Sequence, residues 1–212
     1  MSNARSALEI HFRDLDQQRE AAELGMWIFL MTELLLFGGM FTAYAIYRMR
    51  YPEAFAIASH ELSAPIGTIN TAVLIISSFG VALAVRGAKV NGRKRLLGGL
   101  ALALVLGIVF LALKGYEYHD HYLHHQVPGL NFVWDKPRAG GAEIFFFLYF
   151  VMTGVHAIHL SIGIAIVAGL IVQALRGKYS PVYHTPVEVG GLYWHFVDVI
   201  WIFLYPMLYL IV

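Results

Sequence analysis

Apolar residues in this chain come in long unbroken runs, not in the alternation of a half-buried strand. Five runs are long enough to cross the hydrocarbon as helices, which takes about 20 mostly apolar residues. They cover residues 24–47, 66–86, 96–113, 142–172 and 190–212. The fourth has length to spare for tilting or for projecting past the bilayer. Charged, turn-rich stretches such as 85–95 and 126–141 separate them. A transmembrane barrel is excluded, because its strands would alternate lipid-facing and lumen-facing residues. The expected fold class is all-α: an integral membrane bundle of five transmembrane helices over 24–212, preceded by a cytoplasmic polar tail over 1–23.

Composition narrows the function. Hydrophobic residues make up 58% of the 212 and charged residues 14%, against about a quarter charged in soluble domains. The formal net charge of +1, with no basic run interleaved with aromatics, excludes a nucleic-acid partner. Cysteine is absent, which excludes disulfides, thiolate metal sites and iron–sulfur clusters. The tail mixes Arg5, Arg13 and Arg19 with Glu9, Asp14, Asp16, Glu20 and Glu23, and lacks the apolar core of a cleavable signal.

Lys and Arg counts set the expected orientation. The tail, the second loop (Arg86, Lys89, Arg93, Lys94, Arg95) and the fourth loop (Arg176, Lys178) hold ten. The first loop (Arg48, Arg50) and the third (Lys114, Lys136, Arg138) hold five. The N-terminus is therefore expected in the cytoplasm and the C-terminus outside. The third loop also carries His119, His121, His124 and His125. Imidazole suits metal binding and proton collection, but without carboxylates at fixed helical spacing the cluster reads first as a solvated helix end.

Several polar residues fall inside the spans, where an ionisable group costs roughly 2.5–3.5 kcal/mol on insertion scales and should face protein, water or a partner. Glu33 lies near the middle of the first span, either as a hydrogen bond to a neighbouring helix or as a proton-exchanging or lipid-cleft carboxylate. The fourth span carries Tyr149, Thr153, His156, His159 and Gly163 on one face, and the fifth carries Gly191, His195, Asp198, Tyr205 and Tyr209. The third brings Gly107, Lys114 and Glu117 along its own stripe. No Glu-x-x-His of a di-iron bundle occurs, and His156, His159 and His195 are too few for a multi-heme core. Glu117, His156, His159, His195 and Asp198 are expected to make polar contacts between helices, with no catalytic, cofactor-binding or metal residue in this chain.

The run Tyr193-Trp194-His195-Phe196-Val197-Asp198-Val199-Ile200-Trp201-Ile202-Phe203-Leu204-Tyr205 closely resembles the last helix of subunit III of the heme–copper oxidases. Thr153-Gly154-Val155-His156-Ala157-Ile158-His159 resembles that family's Thr-Gly-x-His-x-x-His helix, and residues 25–37, with Thr32-Glu33, its helix with a membrane-embedded carboxylate. Asn70-Thr71 and Glu117-Tyr118 match as well, so the resemblance covers residues 25–209. Mitochondrial-type members have seven helices, and this chain, without the first two, is similar to five-helix bacterial members.

The resemblance implies a cytochrome c oxidase-type accessory subunit without heme or copper, packed on catalytic subunit I in the bacterial cytoplasmic membrane. Hemes and copper belong to the partner subunits I and II. It also implies bound phospholipid in a V-shaped cleft beside the carboxylate, which carries over to Glu33, and support of proton uptake during aerobic electron transport. Alternatives are an accessory subunit of a quinol oxidase or of a nitric oxide reductase. A free-standing proton or ion transporter is disfavoured, because no inverted repeat is visible and Pro206 has no counterpart in the other spans.

Overall fold

A computed structural model describes residues 11–136 and 139–210. Arg5, Glu9, Arg138 and the last two residues of the fifth expected span lie outside them. Among the described residues six helices follow in order: α1 Leu15–Arg50, α2 Pro52–Ser59, α3 Ala64–Lys89, α4 Arg93–Leu123, α5 Ala139–Leu175 and α6 Thr185–Tyr209. All but α2 are long and apolar enough to cross a membrane.

The helices outrun the apolar runs that predicted them. α1 begins nine residues early: Asp14 caps it by accepting from the Gln17 backbone N–H at 2.8 Å, and Arg19 pairs with Glu23 one turn on. Nine residues of the expected tail, 15–23, are therefore helical. α4 continues ten residues past 113, because the polar residues that ended its apolar run face into the bundle and are satisfied there. Lys114, counted above as an outer-loop charge, is buried inside the helix. The short α2 was not expected. Pro52 starts it, and Phe55 fills the space between Tyr44 and Phe145 at ring separations of 5.5 and 5.4 Å.

Two packing devices organise the bundle. α3 and α4 form a hairpin in which backbone meets backbone: a Cβ at Gly99 would lie 2.3 Å from the Gly80 carbonyl oxygen, and one at Gly87 2.6 Å from the Leu96 nitrogen. Association in lipid gains little from hydrophobicity, so small residues that permit such approach carry the packing. α6 touches α1, α3 and α5 and is the most buried span, whereas α1 lies at the edge and is the least. Trp194 of α6 seats its ring against Gly107 of α4 and Gly163 of α5, where a Cβ would come within 2.9 and 3.2 Å of it. Its Nε1–H donates to Ser77 Oγ of α3 at 2.9 Å, so one indole ties four helices.

The chain alternates between two faces. On one, Glu188 at the start of α6 meets Lys89 at 2.6 Å and Arg19 at 3.6 Å. On the other, Glu61 pairs with Lys136 and accepts from Gln126 Nε2 at 3.3 Å. The two ends of the five-span bundle thus lie on opposite faces.

Candidate functional site

Three polar clusters lie within the spans. The first joins α1 to α5: His159 Nε2 is 2.8 Å from Glu33 Oε2, and His159 Nδ1 is 2.8 Å from the Val155 carbonyl oxygen one turn earlier. A carbonyl only accepts, so Nδ1 carries a hydrogen, and a single proton is left to be shared between Nε2 and the carboxyl. Tyr193 of α6 donates to the His159 carbonyl at 2.9 Å, bringing a third helix to the pair. Glu33 is half-buried, while the adjacent Leu34, Leu35 and Leu36 point away from the bundle.

The second cluster is closed to the outside. Lys114 Nζ donates to Glu117 Oε2 at 2.8 Å and to the Tyr149 and Tyr209 hydroxyls at 2.9 Å each. Tyr209 donates on to Glu117 Oε1 at 2.7 Å, completing a ring across α4, α5 and α6. The ammonium also lies 4.8 Å from the Tyr149 ring centroid and 5.4 Å from that of Trp201. Lys114 and Glu117 were placed on one stripe by their spacing. Tyr149 and Tyr209 come from other helices, and only the packing reveals them as partners.

The third cluster lies between α3 and α6. His195 Nδ1 is 2.7 Å from Ser78 Oγ, so His195 is partnered across the helices and not by Asp198 one turn on. Asp198, expected to make a polar contact between helices, is 3% exposed and lies beside Ser78 of α3, which acts on its carboxyl as a hydrogen-bonding neighbour. His156 departs from the expectation. It is fully buried, neither ring nitrogen has a hydrogen-bond partner among the described residues, and its contacts are the rings of Phe110 at 5.4 Å and Trp201 at 5.2 Å. Its position between two aromatic side chains leaves no donor or acceptor in reach, so it packs as a ring.

The four histidines at 119, 121, 124 and 125 do not converge. His121 turns inward, 2.6 Å from Gln126 Oε1 and edge-on to Phe146 and Tyr149, while His119, His124 and His125 are exposed. His124 Nδ1 donates to the Asp120 carbonyl at 2.8 Å. Among the described residues no three His, Asp or Glu side chains come together as a metal site.

Comparison with known proteins gives this arrangement a context. A cytochrome c oxidase subunit III at 35% identity, from Thermostichus vulcanus, aligns over 192 residues, covering 89% of this chain and 86% of its own. The subunit 3 of Synechocystis sp. is 32% identical over 188 residues, 88% of this chain and 74% of the relative. A probable quinol oxidase subunit 3 of Staphylococcus aureus is 28% identical over 192 residues, 91% and 90% of the two chains. The family model described as cytochrome c oxidase subunit III matches residues 16–211, nearly the whole chain and all three polar clusters, and the chain belongs to that family.

Proposed function

We propose that this chain is the accessory subunit III of a respiratory heme–copper oxidase of the bacterial cytoplasmic membrane, packed on the catalytic subunit beside subunit II. The observation that carries the reading is the family match across all five spans. Hemes and copper are then held by the partner subunits. The polar groups of this chain serve to tie its helices and to handle protons at Glu33. Contact with lipid is proposed for the outer side of α1, where Leu24, Trp27, Ile28, Met31 and Leu35 form an exposed apolar stripe on the face of the helix opposite Glu33.

The proposed orientation has the N-terminus in the cytoplasm. Lys114 leaves the outer count because it is buried, so the Lys and Arg bias becomes ten to four. The electron donor is a property of the partner chains. Cytochrome c and quinol are both represented in the names of the relatives, and the long alignment with the Staphylococcus aureus protein supports the quinol variant as a second reading.

Purification of the tagged chain in mild detergent tests the proposal. The expected result is a complex with a heme spectrum, containing an oxidase catalytic subunit and consuming oxygen with reduced cytochrome c or with quinol. Recovery of the folded chain without any heme protein would overturn it.

A further inference from the structure

Residues 124–136, between α4 and α5, lie across one end of the bundle and are held there in two ways. One is aromatic: Phe132 and Trp134 stack on each other, with their rings 6.1 and 5.9 Å from Phe146 of α5. The other is a polar line running inward from the surface. Lys136 donates to Glu61 Oε1, Gln126 Nε2 donates to Glu61 Oε2 at 3.3 Å, and Gln126 Oε1 lies 2.6 Å from His121 Nδ1. The segment also closes on itself, Val133 N–H donating to the His125 carbonyl at 2.8 Å and Asn131 Nδ2 to the Tyr122 carbonyl at 2.7 Å.

This line fixes the tautomer of His121. A carboxylate only accepts, so Gln126 turns its amide N–H to Glu61 and its carbonyl to the imidazole. Nδ1 therefore carries the hydrogen and Nε2 carries none. The ring is 3% exposed and meets Phe146, Tyr149 and Phe150 edge-on at 5.6, 5.5 and 6.1 Å. A proton added at Nε2 would put a cation among aromatic rings, out of reach of water while the segment stays down.

His121 stands eight residues past 113, the end of the apolar run of α4, or about 12 Å of helix beyond it. The charged and titratable groups around it are Lys114, Glu117 and Asp120 on its own helix, the Tyr149 phenol on α5, and Glu61 and Lys136 behind Gln126. Burial pushes the imidazole below its ordinary value, and Lys114 acts in the same direction. The Gln126 bond, Glu117 and Asp120 pull the other way without cancelling it.

We propose that residues 124–136 form a pH-sensitive strap, docked while His121 is neutral and released when His121 takes up a second ring proton. Released, His121 meets water and titrates as an ordinary histidine, at about 6.5. Docked, it resists the proton. Docking is therefore at full strength above about pH 6.5 and weakens as the pH falls below it. Release uncovers the end of the bundle one turn from Glu117 of the buried ring. In the proposed orientation the strap faces the outside of the membrane, but its pH response does not depend on that reading.

A distance measured between two spin labels tests the strap in the full chain in lipid nanodiscs, where both faces meet the buffer. Leu130→Cys puts one label on the strap, and Met49→Cys puts the other at the end of α1 on the same face, both at well-exposed positions. The expected result is one narrow distance at pH 8 and a second, longer and broader population at pH 5, several-fold larger than at pH 8. His121→Gln keeps an amide donor for Gln126 but takes up no proton, so the narrow distance should persist at both pH values. His121→Phe, which keeps the ring packing and cannot titrate, serves the same purpose if the Gln variant fails to fold. A wild-type distance unchanged down to pH 5 overturns the proposal. Release at the same pH in a folded His121 variant also overturns it, assigning the response to Glu61 or to the exposed histidines. Neither outcome touches the proposed function, which the co-purification experiment decides by itself.

Discussion

Lys114 Nζ lies 2.8 Å from Glu117 Oε2 on the same helix, with both side chains sealed inside the bundle and closed into a ring by Tyr149 and Tyr209. The ring is neutral overall if both ions are charged, and each ion has hydrogen bonds beyond its partner. Removing one ion leaves the other uncompensated, which costs about 3–5 kcal/mol in buried pairs. Lys114→Met alone and Glu117→Leu alone are therefore expected to destabilise the chain strongly, and the double variant to recover part of the loss. Thermal unfolding of the purified chain in detergent, followed by tryptophan fluorescence, checks this. A double variant that loses the full sum of the two single effects would show that the ions act independently.

The α3–α4 hairpin gives a sharper steric prediction. A Cβ at Gly99 would overlap the Gly80 carbonyl oxygen at 2.3 Å and Ala84 backbone nitrogen at 2.8 Å, whereas one at the adjacent Gly98 meets nothing within 4 Å. Backbone cannot swing aside as a flexible side chain does. Gly99→Ala should cost about 1–3 kcal/mol, the usual range for overpacking, and Gly98→Ala should be neutral or slightly stabilising through helix propensity. The comparison of the two melting temperatures decides it, and equal losses would mean that the hairpin tolerates separation.

All five spans were legible as apolar runs, because lipid allows no other economical fold for such stretches. Their ends were not. Lys114 and Glu117 broke the apolar run of the third span, yet they neutralise one another inside the bundle, so the helix continues to Leu123. The stripe of Lys114 and Glu117 could be read from its spacing, but Tyr149 and Tyr209 reach them only through interhelical packing, which leaves no local signature. His156 illustrates the same limit. An inward-facing histidine reads alike whether it hydrogen-bonds like His159 or wedges between rings, and Phe110 and Trp201 decide the matter from other helices. α2 was missed because eight residues cannot register as a span, although Pro52 and the buried Ala54, Phe55 and Ala58 mark it.

Topology can be checked with single cysteines, because the chain has none of its own. Gln126 is a poor reporter despite its loop position: it is 9% exposed and bonded to His121 and Glu61. Leu130, 79% exposed in the same loop, and Val90, at the α3–α4 turn on the opposite face, are better. An impermeant thiol reagent added outside intact cells should label Leu130→Cys and spare Val90→Cys until the membrane is opened. The reverse pattern would invert the orientation proposed from the Lys and Arg bias.

Glu33 and His159 offer the test closest to function. With Nδ1–H committed to the Val155 carbonyl, the 2.8 Å contact between Nε2 and Glu33 holds one proton, whichever partner carries it. Glu33→Gln keeps the contact, because the amide N–H donates to Nε2, but removes the exchangeable proton. Glu33→Leu removes both and leaves a buried imidazole nitrogen unsatisfied, at a cost of about 1–3 kcal/mol. If Glu33 only ties α1 to α5, the Gln variant should match wild type in turnover and durability while the Leu variant loses stability. If the pair supports proton delivery to the catalytic subunit, as proposed, Glu33→Gln should assemble at normal yield yet turn over more slowly or inactivate several-fold faster. The defect should be largest at alkaline pH, where protons are scarce. Initial rate and inactivation rate measured across pH for wild type and both variants separate the cases. Identical rates for wild type and Glu33→Gln at every pH would leave the pair a tie between helices and nothing more.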